Sequence, residues 1–425
     1  RLTTTQRADL LRPVNHRDVR NGDALVYARN ANPVLPVGDL LFQTRGALDF
    51  FVERGPVFAQ IGAEHDLAYE DDIDGLDVQR RSFIRSEDSY LTLNSDWATV
   101  LLGRTTRHWG DHYGPGLLIS DNPRSYDQLG FTLGGKYLTI TSLIGELDAL
   151  DSDNVFDGRS GDTQLDFEGS KRFLMAHRLE YRPSARFAIS VEEAILFSGP
   201  GAGFSLKYLN PLQPLILESD NTPKNDENNL LLAGTMRWQP GLWTFQGQAM
   251  LDDFDLYNGL EPVAASLDLR AARAAVTPIL DVRTGLTVVT RRAYSTTQPP
   301  GKYLYALRGL ATNFSDYVHA EAHADVHLMN GALRLTPGLQ VLWQGDGDPR
   351  EPWPINPDKG GPDVLLDTSV RTVRGAVAAR YQPVSWAFAE ADFGLNRSLG
   401  DTEFEGVFSF GVRLEERYWS NLGLR

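Results

Sequence analysis

The chain has no cysteine among its 425 residues, which removes disulfides, thiol nucleophiles and cysteine metal sites together. It also has no run approaching the ~20 consecutive apolar residues that a membrane-crossing helix requires, so a helical membrane protein is excluded. Basic charge is in short supply. Lys and Arg number 41 against 56 Asp and Glu, a formal charge of −15, and a nucleic-acid partner, which needs a cationic surface, is excluded with it. Three catalytic signatures are missing too: a Gly-x-Ser-x-Gly elbow, a glycine loop ending in Lys, and a His-Glu-x-x-His pair. The expectation is a protein that is not an enzyme and needs no cofactor.

None of these absences excludes a β-barrel in a membrane. A barrel strand needs only about 9–11 residues and shows every second one to lipid, so its average composition looks soluble. Over 403–415 the even positions Phe404, Gly406, Phe408, Phe410, Val412 and Leu414 oppose Glu403, Glu405, Ser409, Arg413 and Glu415. Over 40–54, Leu40, Phe42, Leu48, Phe50 and Val52 oppose Gln43, Arg45, Asp49 and Glu53, and Val57, Ala59, Ile61, Ala63 and Leu67 follow after Arg54-Gly55-Pro56. Such alternation is the mark of a strand with one apolar and one polar face.

The same period returns at Phe187 to Phe197, Trp243 to Leu251 and Leu333 to Trp343. Between such runs, tight Pro or Gly turns, as at Pro183, Pro240-Gly241, Asn330-Gly331 and Pro383, roughly alternate with long links. Acid gathers in those links, at 69–77, 148–168, 218–229 and 345–363. Short periplasmic turns and long outer loops characterise outer-membrane barrels. The strands exceed the usual soluble length of ~5–6 residues. The reading is therefore all-β: a transmembrane antiparallel barrel of about eighteen strands, with about sixteen as the alternative. It occupies 37–425 after a periplasmic or lumenal segment at 1–36, and it carries inward or long outer loops.

His319, His323 and His327 stand four apart, a spacing that on a helix would suggest a metal site. Here His, Glu321 and Asp325 fill every odd position and Ala or Val every even one. That is period two, so these residues form a water-facing ladder on a strand, and no metal is expected. Asp71-Asp72-Ile73-Asp74-Gly75 and Asp346-Gly347-Asp348 carry fragments of calcium-loop spacing without the full twelve-residue pattern.

The segment 103–123 reads Gly-Arg-Thr-Thr-Arg-His-Trp-Gly-Asp-His-Tyr-Gly-Pro-Gly-Leu-Leu-Ile-Ser-Asp-Asn-Pro. Aromatic faces suit the C–H face of a pyranose, and Asp, Asn and Arg suit its hydroxyls. The same residues would also serve a loop folded into the barrel. Gly103-Arg104, Trp109-Gly110, Gly114-Pro115-Gly116 and Leu117 to Asn122, with Phe197 to Gly199 and Asn210-Pro211-Leu212 later, resemble the Wzi family of capsule-assembly outer-membrane proteins.

That resemblance implies a large outer-membrane barrel that anchors surface polysaccharide in a lectin-like way. Trp109, Asp111, His112, Tyr113, Asp121, Asn122 and Arg124 are then the expected glycan-lining residues. Two other readings stay open. One is a passive porin-type channel lined by charged faces, including Arg371, Arg374 and Arg380; the other is a scaffold barrel in an envelope protein complex.

Overall fold

The computed structural model describes residues 35–412, except for connecting chain at 67–82, 111–113, 151–169, 199–201, 218–226, 253–262, 297–300 and 350–362 and a few shorter links. A small hairpin comes first, β1 (Leu35–Val37) with β2 (Leu40–Phe42). The barrel then runs β3 (Arg45–Arg54), β4 (Val57–Asp66), β5 (Phe83–Asn94), β6 (Ala98–Thr105), β7 (Tyr126–Gly134), β8 (Leu138–Leu150), β9 (Ser170–Ser184) and β10 (Phe187–Ser198). It continues through β11 (Glu227–Trp238), β12 (Trp243–Asp252), β13 (Ala264–Thr277) and β14 (Leu280–Val289). A second small hairpin, β15 (Leu304–Tyr305) with β16 (Arg308–Gly309), sits in the link that follows. The last strands are β17 (Tyr317–Leu328), β18 (Leu333–Gln344), β19 (Val370–Val384), β20 (Ala387–Ser398) and β21 (Asp401–Val412).

Seventeen of these strands form one sheet rolled into a barrel. Each pairs antiparallel with its chain neighbour from β3 to β14 and from β17 to β21, and β14 pairs with β17. The all-β architecture expected from the alternation is therefore present. One boundary differs: the expected single strand over 40–54 is divided into β2 and β3. The segment 1–34, the calcium-like fragment at Asp71 to Gly75 and the chain beyond Val412 lie outside the described residues.

Connections differ at the two ends. Links of a few residues join β3 to β4, β5 to β6, β7 to β8, β9 to β10 and β13 to β14, whereas long ones follow β6, β8, β10, β14 and β18. Exposed aromatics gather near the short turns: Trp97, Tyr137, Tyr181, Trp238, Trp243 and Tyr381. They form one interfacial girdle of the kind that flanks the apolar band of a membrane barrel. Trp243 stacks on Phe245 at 5.5 Å between ring centroids.

Above the girdle the outward positions are apolar and exposed, as at Leu102, Leu179, Val191, Met236, Leu269, Leu339, Val377 and Leu395. A continuous exposed apolar surface of this extent is unfavourable in water and matches lipid. Many of the inward positions, by contrast, are polar. His319, Glu321, His323, Asp325 and His327 all point into the lumen, since they pair with Thr287, Gly285, Arg283, Asp281 and Arg334 on the same face. Arg374 and Arg380 do likewise, while Arg371, at odd parity and opposite Trp343, lies on the outer face.

Candidate functional site

The described residues of two long links leave the wall and fold inward: those of 106–125, between β6 and β7, and those of 290–316, between β14 and β17. Leu117, Leu118 and Ile119 from the first are fully buried, as are Ala293, Tyr294, Tyr303, Leu310, Ala311 and Phe314 from the second. They pack on inward-facing Leu143, Leu174, Ala176, Leu196, Leu231 and Met250 of the wall, giving the barrel an apolar core within its lumen. This core lies toward the long-loop end, because its polar anchors Asp148, Arg172, Asn229 and Asp252 sit at that end of β8, β9, β11 and β12.

The two links are joined by hydrogen bonds. Ser120 N–H donates to the Leu310 carbonyl at 2.8 Å, and Ser120 Oγ donates to the Ala311 carbonyl at 2.5 Å. Asn122 Nδ2 donates to the Gly309 carbonyl at 2.9 Å and also to Asn313 Oδ1. The Tyr294 and Tyr303 hydroxyls donate to the carbonyls of Leu117 and Leu118 at 2.7 and 2.9 Å. Burial pushes both tyrosine hydroxyls well above the usual phenol range, so they remain donors.

The wall holds the plug at several points. Arg172, fully buried, donates to the Lys302 carbonyl, to the Leu304 carbonyl at 3.0 Å and to Asp148 Oδ1 at 3.1 Å. Gln248 accepts from Leu117 N–H at 3.0 Å, and Asn229 donates to the Gly301 carbonyl at 3.1 Å. Backbone groups buried in the plug thus find partners, which is the condition for irregular chain to sit at this depth.

Below the plug the lumen is polar, and its arginines are matched by acids. Arg270 pairs with Asp268 at 2.7 Å and with Glu321, and Thr287 Oγ1 donates to Asp268 Oδ1 at 2.7 Å. Arg283 meets Asp325, Arg374 meets Asp392 at 3.0 Å, and Arg380 meets Glu390 at 2.8 Å. His323 contacts Glu321 at 3.1 Å and His327 contacts Asp281 at 2.9 Å, so two of the three ladder histidines are held against carboxylates. Among the described residues no group of three or more His, Asp or Glu is arranged to hold a metal ion. Glycines make room for the long side chains: a Cβ at Gly285 would collide with the Arg270 guanidinium, and one at Gly338 with the His323 ring.

The seven expected glycan-lining residues belong to the first inward link, and their settings differ. Trp109 is buried, its backbone N–H donates to the Ile119 carbonyl at 2.9 Å, and the Arg178 guanidinium lies 5.9 Å from its ring centroid. Asn122 is buried and joins the two links. Asp121 is partly exposed and meets His108 Nδ1 at 3.2 Å, and Arg124 is half-buried. Asp111, His112 and Tyr113 lie outside the described residues. Sequence reading missed the second link entirely. A signal was present: residues 290–315 contain no Asp or Glu, and 103–125 contain only Asp111 and Asp121, whereas the remaining long links are acidic. Links that fold inward shed carboxylates because a buried charge without a partner is costly.

At the level of sequence, no protein-family model and no curated protein matches the chain. Its fold is similar to that of Wzi from Escherichia coli, described as an outer-membrane protein involved in group 1 capsule assembly and a carbohydrate-binding β-barrel. The TM-score is 0.58 at 10% identity, covering 87% of this chain and 79% of that one. It is also similar to OccD3 of Pseudomonas aeruginosa, with a TM-score of 0.51 at 10% identity over 87% of this chain and 86% of that one. The fold is that of an outer-membrane β-barrel, and its apolar outer wall with an aromatic girdle makes the bilayer its surroundings.

Proposed function

We propose that this protein is a plugged outer-membrane barrel that holds a surface polysaccharide non-covalently at its outer mouth. The observation that carries the reading is the interlocked pair of inward links. Ser120, Asn122, Tyr294 and Tyr303 bind them to one another, Gln248 holds the first and Arg172 the second to the wall, and packed protein lies in the lumen toward the long-loop end. A filled lumen suits an anchor, which needs a rigid surface, better than a diffusion path.

Asp121 and Arg124 offer acceptors and donors for sugar hydroxyls from that surface. Buried Trp109 and Asn122 hold the link beneath them, and Asp111, His112 and Tyr113 complete the proposed lining. The likeness to a barrel described as carbohydrate binding supports this reading. A porin-type channel is the second reading, supported by the charged lower lumen and the likeness to OccD3.

The test is retention of purified surface polysaccharide by the full chain in detergent, compared with Asp121→Ala/Arg124→Ala. Retention by wild type and its loss in the variant bear the reading out. Failure of wild type to retain any polysaccharide of the source cell's surface removes it.

A further inference from the structure

A second apolar cluster lies outside the barrel. On β8, β9 and β10 the residues Ile144, Phe173, Met175, Ile195 and Phe197 have outward parity, in register with exposed Leu179, Ile189 and Val191, yet they are buried. What covers them is the chain between β10 and β11, which returns over the outer wall as a helical turn at Leu206–Leu209 followed by residues 210–217. Tyr208 stacks on Phe197 at 4.6 Å between ring centroids, and Leu215 is fully buried beside it. Leu212 and Leu217 of this clasp point away from the wall and are exposed.

Beneath the clasp three polar side chains stand side by side on adjacent strands. Ser142 of β8 is the register partner of His177 of β9, and His177 is the partner of Glu193 of β10. His177 Nδ1 meets Glu193 Oε1 at 3.1 Å. The other ring nitrogen, Nε2, lies 3.0 Å from the Tyr208 carbonyl, and Ser142 Oγ lies 3.4 Å from the carbonyl of the next residue, Leu209. Ser142 is fully buried and His177 nearly so. Polar groups on the lipid side of a membrane barrel are costly and mark function more often than chance.

We infer that Ser142, His177 and Glu193 form a serine-hydrolase triad on the outer wall, held latent by the clasp, for the fatty-acyl ester of a membrane lipid. The roles follow from the order of contacts. A carboxylate on Nδ1 orients the imidazole and supports the charge it acquires, while Nε2 faces the nucleophile. Cross-strand partners carry their Cβ atoms about 5 Å apart, within the reach of a serine hydroxyl and a histidine ring. With the clasp down, adjacent carbonyls of Tyr208 and Leu209 occupy Nε2 and Oγ. With it lifted, both atoms lose those carbonyl partners on side chains that are register neighbours and can turn toward each other, and the surface vacated by Tyr208 and Leu215 is an apolar groove lined by Met175, Ile195 and Phe197, suited to an acyl chain.

The reaction is acyl transfer to serine and then to water. Ser142 Oγ bonds to the ester carbonyl carbon as its proton passes to His177 Nε2. The ester C–O bond then breaks, and that proton goes to the leaving alcohol oxygen. Water attacks the acyl-serine and gives a proton to Nε2, and the proton returns to Ser142 as the fatty acid leaves. Ester and water become carboxylic acid and alcohol. Glu193 is a positioning residue. This activity is separate from glycan binding in the lumen, and it adds chemistry to a chain whose sequence motifs announce none.

The test is labelling of the full chain in detergent with a fluorophosphonate, the adduct being mapped by mass spectrometry. Fatty-acid release is followed in parallel from phosphatidylethanolamine vesicles and, separately, from lipopolysaccharide micelles. The adduct is expected on Ser142, formed at least about tenfold faster in Tyr208→Ala or Leu215→Ala, which free the clasp, and abolished in Ser142→Ala. Glu193→Gln slows labelling and displaces its pH profile, which a merely structural residue would leave in place. Release from one lipid and not the other names the source of the ester. Absence of a Ser142 adduct in both clasp variants, with heat-modifiable gel migration showing a folded barrel, overturns the inference, as does labelling that survives Ser142→Ala.

Discussion

The side-chain amide of Asn122 donates to the carbonyl of Gly309 at 2.9 Å across 187 residues of chain, and it contacts Asn313 Oδ1 at the same time. One buried carboxamide thus ties together the two links that fill the lumen. Asn122→Ala leaves the Gly309 carbonyl and Asn313 without that donor inside a dry core. The expected cost is about 1–3 kcal/mol, read as a lower urea midpoint for the folded barrel, with tryptophan emission as the probe because Trp109 sits in the same link.

Arg172 offers a harsher perturbation. It is fully buried and supplies Asp148 and two plug carbonyls, so Arg172→Ala strands a carboxylate and removes one of the second link's wall anchors, leaving those at Asn229 and Asp252. The loss is expected to be about 3–5 kcal/mol, larger than for Asn122→Ala. Proteolysis within 290–316 is expected to be faster in this variant while the strands stay protected.

The strands were legible because lipid outside and water inside impose a period of two, and chain after chain of side chains obeys it. His319 to His327 shows how far that rule reaches, since alternation with Ala and Val placed the histidines on the lumenal face. The inward links were not legible in the same way. Leu117-Leu118-Ile119 has no period that separates a plug from any other apolar run, and its partners lie some 190 residues away in sequence, among Gly309 to Asn313. The clasp was hidden for a related reason: Ile195 and Phe197 look like ordinary lipid-facing residues until the chain at Tyr208 returns to cover them. Ser142, His177 and Glu193 come together only through the registers of three strands.

Gly285 tests the fit of the lower lumen. A methyl group there meets the Arg270 guanidinium, which is pinned between Asp268 and Glu321 and has little freedom to yield. Gly285→Ala is expected to destabilise the barrel by about 1–3 kcal/mol. A double-mutant cycle with Arg270→Ala should recover part of that loss, since removing the guanidinium removes the collision.

Alkaline pH should act on Tyr294 and Tyr303. Burial raises both above the ordinary phenol value, whereas the unfolded chain ionises near ~10. Their contribution is therefore complete below ~10 and is lost as pH climbs from there toward the folded values, by about 1.4 kcal/mol per pH unit for each tyrosine. Urea unfolding at stepped alkaline pH should show this slope in wild type. Tyr294→Phe/Tyr303→Phe should show a shallower one, after an initial loss of about 1 kcal/mol per hydroxyl.

If the interlocked links close the lumen, the barrel anchors rather than conducts. Single-channel recording of the full chain in a planar bilayer separates the two. Wild type is expected to give little or no conductance, with openings appearing in Arg172→Ala as the second link loosens. Large, steady open-channel steps from wild type would contradict the account and favour the diffusion channel.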